Sequence, residues 1–451
     1  MPWSEVRPGH YQRPIGENEK LIKAIGDRAH ASGREHWSIT AKVSFKLIEP
    51  LKGDLFTKFR QTWKALRYEH PSIASTADEE ALNYIVPDID ALHRWAKETF
   101  FVHNEKTSAD DLIASFKPSP YATAHYLSGS SQLVLHTAHW RTDGFGALQL
   151  LNAFLVTFSA GPDRDPDNLP WGQEVDRLVL SVEEILNLPL AATPEIKTMA
   201  DRYISTLAHT KGAVGLLCRG DKSTLPSGTR SARLRLSQST TKAISEACKA
   251  RNISVLSAVH ASVAAITYAG APADSKDKHY TSTMRFSLRP YMPEPYNTPQ
   301  FASALYTGGY MFKVPASQSW AENAQRYNEE YHCGVTREFL LVRRQYALNV
   351  QDLLRKNIIT ESTPPSEVDI SSVGDAELLV SPVHKNGDRA LKILDISIGV
   401  ETLTPQMYCF VWTFRNQMEF NLVYNEAFYD SNFSAELLSK LKNVLKTELY
   451  I

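Results

Sequence analysis

Between residues 39 and 47 the chain reads ITAKVSFKL, and apolar and polar positions alternate throughout. Ile39, Ala41, Val43, Phe45 and Leu47 share one face, which predicts a half-buried strand. In the LFTKFRQTWKAL stretch that follows, Leu55, Phe59, Trp63 and Leu66 recur at helical spacing and predict an amphipathic helix. Pro71 in HPSIAS disfavours helical geometry at His70 and ends it. ALNYIVPD reads as a short strand stopped by Pro87, and IDALHRWAKETF as a second helix. SQLVLHTAH then has the length and composition of a strand. WRTDG is a turn in which Gly144 is free to adopt positive φ. FGALQLLNAFLVTF is long and apolar enough for a mostly buried helix.

The pattern breaks at SAGPDRDPDNLPWGQE, a loop by composition, and CRGDKSTLPSGT (218–229) reads as a linker. After it the same grammar restarts. RSARLRLS and HYTSTMRFSL are expected as strands, TTKAISEACKA and SVLSAVHASVAAITYA as helices. MYCFVWTFRNQMEFNLVYN reads as two strands joined by a turn at Arg415–Gln417. Both halves mix strands with helices. The expectation is an α/β (α+β) protein of two lobes, 1–217 and 230–451, meeting at a cleft.

Length supports two lobes, because 451 residues exceed what one core usually organises. The balance of 49 basic against 50 acidic residues removes any global field for nucleic acid or an anionic membrane. Cys218, Cys248, Cys333 and Cys409 are widely spaced and form no metal-ligand pattern; buried thiols in a reducing compartment are expected. The opening MPWSEVRPGH lacks the apolar core of a signal peptide, and the longest apolar stretch is too short to span a bilayer. A cytoplasmic monomer is the default expectation.

The candidate chemistry lies in VLHTAHWRTDGFGAL (134–148), which sets His139 at a strand end and Asp143 in the turn before a helix. Acyl transfer to an alcohol needs a base for the hydroxyl proton and a donor for the developing oxyanion. A histidine suits the first task because the free side chain titrates near pH 6.5. His-x-x-x-Asp-Gly alone is a weak motif, and a structural turn histidine would give the same letters. His136, an odd number of residues away, faces the other side of a regular strand. A metal held by His139 and Asp143 would lack a third ligand at recognisable spacing, so none is implied.

HWRTDGFG resembles the signature of the His-x-x-x-Asp acyltransferases, the superfamily of chloramphenicol acetyltransferase, the plant BAHD acyltransferases, condensation domains and fungal trichothecene O-acetyltransferases. YQRPIGENE (11–19) is similar to the opening of fungal and yeast alcohol acetyltransferases, and HPSIAS to the segment closing the first helix of condensation-like members. MRFSLRPYMPEP (284–295) resembles the Asn-x-Arg-x-Arg-Leu-x-Pro stretch of BAHD enzymes, with Met284 replacing Asn and Ser287 preceding Leu288. VDISSVGDAELLV (368–380) and ILDISIG (393–399) sit where BAHD enzymes carry a Ser-containing strand and Asp-Phe-Gly-Trp-Gly. NLPWGQEVDRL and FVWTFRNQMEFNLVYNEAFY are most similar to the trichothecene 15-O-acetyltransferase group. The matches run in family order over nearly the whole chain.

The resemblance implies two similar lobes with a solvent tunnel between them, an acyl-coenzyme A donor, an alcohol acceptor and His139 near the middle. It also implies that Asp143 points away from substrate and pairs with an arginine, Arg285 or Arg289, of which Arg285 is preferred. Isoleucines replace Phe and Trp in DISIG, so no indole N–H can assist there; Asp395 and Gly399 are read as structural. A hydroxyl of Ser371 or Ser372 could serve as oxyanion donor, or these serines could cap a turn. Gly308 and Gly309 could allow two backbones to approach, or form a weak phosphate loop. Basic VRRQ (342–345) is read as a solvated helix face rather than a phosphate site. The function expected is O-acetylation of an apolar fungal secondary metabolite such as a sesquiterpenoid, by direct attack without an acyl-enzyme. Its rivals are a condensation-type enzyme fed by a carrier protein and a non-acylating ligand-binding or cyclising member of the fold.

Overall fold

A computed structural model describes residues 2–48, 54–161, 165–221, 223–356, 365–386 and 389–451. Positions 162–164 of the expected loop and 222 of the expected linker lie outside the described residues. The chain forms two compact units: 1–188 with 287–307 and 377–399, and 189–286 with 308–376 and 400–451. The contiguous lobes expected from composition thus exchange segments. Strand pairing is the reason, because the late strand Arg389–Val400 hydrogen-bonds beside Ile39–Leu47.

The first unit is built on a six-stranded mixed sheet ordered Val383–Asn386, Arg389–Val400, Ile39–Leu47, Gln132–Thr137, Thr123–Leu127, Phe100–His103. Ile39–Leu47 runs antiparallel to Gln132–Thr137, with Ile39 opposite Thr137 and Val43 opposite Leu133. Phe100–His103 runs parallel to Thr123–Leu127. The helices Leu55–Glu69 and Gly144–Ala160 pack together through aromatic edges, the Phe59 ring 5.3 Å from Phe154 and 4.8 Å from Phe158. Those contacts fix the helix that follows the candidate motif.

The RPIGENE stretch has a structural role in this unit. Arg13 and Glu19 form a buried bidentate pair, and Arg13 Nε donates to Val179 O at 3.1 Å. Glu19 also accepts from Gly16 N at 2.9 Å, so the pair starts the helix Glu17–Asp27 while anchoring the strand His10–Pro14.

The second unit holds a four-stranded sheet ordered Val368–Asp375, Met407–Phe414, Gln417–Asn425, Thr229–Arg235. The first pair is parallel and the other two are antiparallel. The turn expected near Arg415 is a two-residue hairpin loop in which Arg415 (φ 53°) and Asn416 (φ 60°) are both left-handed, the twist that such loops favour. Tyr280–Ser287 pairs with Thr307–Val314. The apolar helix Val255–Gly270 is buried beneath Trp320–Cys333, where Trp320 Nε1 donates to Ser262 Oγ at 2.9 Å. Among the described residues no single helix is long and apolar enough to cross a membrane. Cys248 and Cys409 are buried as expected; Cys218 is half-buried and Cys333 exposed.

Candidate active site

The strand Gln132–Thr137 ends two residues before His139, which opens a tight turn, and Asp143 closes that turn as the N-cap of Gly144–Ala160. Both flanking elements are apolar and buried, so the turn is held at each end. His139 itself is half-buried. Its Nδ1 lies 3.0 Å from the carbonyl oxygen of Thr142. A carbonyl can only accept, so Nδ1 carries the hydrogen and Nε2 is the lone-pair nitrogen of the neutral ring. Thr142 is fixed in turn, its hydroxyl donating to Ala302 O at 2.7 Å.

Asp143 is 3% exposed and saturated with donors. Oδ1 accepts from Gly146 N at 2.9 Å, and Oδ2 accepts from Tyr306 N at 2.9 Å and Arg289 Nη1 at 2.6 Å. With both oxygens engaged by N–H groups, this carboxylate is committed to holding the turn. Arg289 also donates to Ala304 O at 3.2 Å. Residues 302–306 are therefore strapped onto the turn by a side chain from each of Thr142, Asp143 and Arg289.

The preference for Arg285 is corrected. Arg285 Nη2 pairs with Asp369 Oδ2 at 2.7 Å, and its Nη1 donates to Ile370 O at 2.9 Å, both in the second unit. Arg289 lies beyond the end of Tyr280–Ser287, in a single 3-10 turn, where strand alternation no longer governs direction. Gly144 is also corrected: it is the first helical residue and not among the positive-φ glycines. The glycine that the site requires is Gly146, where a Cβ would stand 2.1 Å from Ala302 O and 2.3 Å from Thr142 Oγ1. Sequence reading passed over Gly146, Thr142 and Arg141. A charged residue flanked by two apolar elements was the available signal for Arg141.

His136 is 3% exposed and stacks on Phe116 at 4.2 Å. Its Nε2 is buried with no partner, and burial, with Arg141 second, pulls its pKa down to about 3.

Ser371 and Ser372 lie half-buried on Val368–Asp375 in the second unit. Ser372 Oγ accepts from Gly374 N at 3.1 Å, beside a register shift in the strand, so the turn-capping role is present for this serine. Asp395 and Gly399 are half-buried on Arg389–Val400. Gly308 and Gly309 sit inside the strand Thr307–Val314, not at a helix N-terminus. A Cβ on Gly309 would meet Met284 O at 2.4 Å, which is the close backbone approach expected of it. The solvated reading of VRRQ is corrected: Arg343 is 3% and Arg344 9% exposed, and Arg343 lies over the rings of Phe339 and Tyr346. Asp27, His30 and Glu35 bring three ligand atoms within 4.8 Å of one another, but Lys23 already pairs with Asp27.

No family model matches the chain. Over 453 residues it is 61% identical to Acetyltransferase pigO of Monascus ruber, covering 100% of this chain and 99% of that protein. Over 461 residues it is 31% identical to O-acetyltransferase pigM of the same fungus, covering 100% of this chain and 88% of the relative. Among solved structures, the TRI3 trichothecene 15-O-acetyltransferase from Fusarium sporotrichioides matches with a TM-score of 0.82 at 18% identity, over 98% of this chain and 97% of that one. At that identity the likeness is one of fold.

Proposed function

The chain belongs to the family of fungal acetyltransferases that includes Acetyltransferase pigO, and from that premise we propose that it moves an acetyl group from acetyl-coenzyme A to a hydroxyl of an apolar secondary metabolite, with His139 as general base. One observation carries the base assignment: Nδ1–H is committed to Thr142 O, which leaves Nε2 with the lone pair. Nε2 takes the hydroxyl proton as the alcohol oxygen attacks the thioester carbonyl carbon. The carbonyl opens to an oxyanion, which then re-forms its double bond as the C–S bond breaks. The imidazolium returns the proton to the departing thiolate, so an acetyl ester and free coenzyme A are formed and no acyl-enzyme intervenes.

Asp143 acts through the turn rather than on the substrate, since its oxygens are filled by Gly146, Tyr306 and Arg289. The oxyanion is assigned to a serine hydroxyl of the strand Val368–Asp375. Ser372 accepts an N–H from Gly374 and so keeps its own O–H to donate. The acceptor class is a hydroxylated sesquiterpenoid or polyketide.

The test is thiol release from acetyl-coenzyme A with a panel of such alcohols, comparing the wild type with His139→Ala, Ser371→Ala and Ser372→Ala. Loss of a general base should lower kcat by roughly 10²–10⁴. Loss of one oxyanion donor should cost about 10²–10³, and one of the two serine variants should show it. Wild-type rates in both serine variants would remove the oxyanion assignment. Turnover with an acyl-carrier-protein thioester but none with acetyl-coenzyme A would replace the donor.

A further inference from the structure

Arg141 is a buried cation, 3% exposed, whose hydrogen bonds go to neutral oxygens. Among the described residues Glu35 acts on it through its charge, without a hydrogen bond between them. Burying an unpaired charge is costly even after relaxation. Neutral acceptors offset that cost in part. Nη1 donates to Thr137 Oγ1 at 2.7 Å, and Nη2 donates to Pro120 O at 2.8 Å and Ser75 O at 3.0 Å. The guanidinium lies 4.3 Å from the centre of the Trp140 ring. Nε has no partner. An apolar residue of similar volume would remove the charge and its cost together, so stability alone is a weak reason for an arginine here.

The three acceptors belong to three separate segments. Thr137 ends the strand Gln132–Thr137, Ser75 follows the 3-10 turn Pro71–Ala74, and Pro120 precedes the strand Thr123–Leu127. All converge on Arg141, two residues after His139 and directly before Thr142. From the other side, Thr142 and Asp143 fasten the turn to residues 302–306. The geometry points to Arg141 as a positioning residue for His139: it ties the N-terminal half of the catalytic turn to three neighbouring segments, as Asp143 ties the C-terminal half. This inference rests on His139 being the base. A planar fork reaching three acceptors explains arginine over lysine, whose ammonium is a compact point charge. A displacement of about 1 Å at the base is enough to cost roughly 10² in rate.

The experiment compares Arg141→Met, Arg141→Lys and Thr137→Val with His139→Ala and with Val43→Ala. Val43 is a fully buried residue of the same sheet and contributes only packing. All are assayed at a temperature where circular dichroism shows them folded, and kcat and KM are determined separately. Arg141→Met should lose roughly 10² in kcat with the KM for acetyl-coenzyme A changed less than about threefold. Arg141→Lys should recover part of that loss, and Thr137→Val, which keeps the guanidinium but removes one anchor, should lose about tenfold. Val43→Ala should lower Tm while leaving kcat within about twofold. Should Arg141→Met not fold, Arg141→Lys and Thr137→Val carry the test. Wild-type kcat in every folded variant of Arg141 and Thr137, beside a crippled His139→Ala, overturns the positioning role and leaves the base intact. Wild-type turnover in His139→Ala overturns the base assignment, and this inference with it.

Discussion

At the residue scale the site is defined by which atoms are already used. Asp143 Oδ2 accepts from both Tyr306 N and Arg289 Nη1, and no donor can stand in that position. Asp143→Asn keeps the volume and can keep the cap to Gly146, but it turns an amide N–H₂ toward two existing donors and strands a buried guanidinium. Breaking such a pair from one side typically costs about 3–5 kcal/mol. Urea denaturation should therefore show a loss of that size, and Arg289→Met placed on Asp143→Asn should add less than its own single cost. Strict additivity of the two would contradict the pairing. The turn that joins His139 to Asp143 was legible because it is local. The choice of Arg289 over Arg285 was not. Both arginines stand in MRFSLRP, and the strand that would order them by alternation ends at Ser287.

At the element scale, alternation located Ile39–Leu47 with its observed bounds, periodicity located Leu55–Glu69, and length with apolar content located Gly144–Ala160. These segments are long and patterned on one face or wholly apolar, so local sequence decides them. The strands Thr123–Leu127 and Gln132–Thr137 carry a feature that no pattern reveals. Buried His125 and His136 lie on neighbouring strands, with His103 Nε2 3.0 Å from His125 Nδ1. Burial pulls His136 down to about 3 and His125 well below the ordinary histidine range. His70, elsewhere in the same unit, is lowered to about 4, also chiefly by burial. Unfolded histidines take up protons below about pH 6.5 while these folded ones stay neutral, so stability is full above that pH and falls as pH drops from 6.5 toward 4. For one such group the loss by pH 5 is about 2 kcal/mol. His136→Leu removes one of these protons and an unpartnered Nε2. Its unfolding free energy relative to wild type should improve by about 2 kcal/mol between pH 7.5 and pH 5. Parallel pH dependence of the two proteins would contradict a neutral, buried His136.

At the scale of the whole molecule, composition anticipated two compact units of mixed structure but not how the chain is divided between them. Residues 287–307 return to the first unit because Asp143 recruits Arg289 and Tyr306 and Thr142 donates to Ala302 O. Pairing between segments about 350 residues apart, as between Ile39–Leu47 and Arg389–Val400, leaves no local trace in either sequence. The burial of Arg343 was unreadable for a related reason: the aromatic rings that cover it at Phe339 and Tyr346 undo the usual link between charge and exposure. The proposed mechanism depends on the least distributed feature of the molecule, one imidazole whose Nδ1 is held by its own turn. The most direct measurement is kcat for acetyl transfer from acetyl-coenzyme A by His139→Ala, at saturating donor and acceptor, with foldedness matched to wild type. A fall of roughly 10²–10⁴ is the result predicted for loss of a general base; a rate equal to wild type would show that the alcohol loses its proton elsewhere.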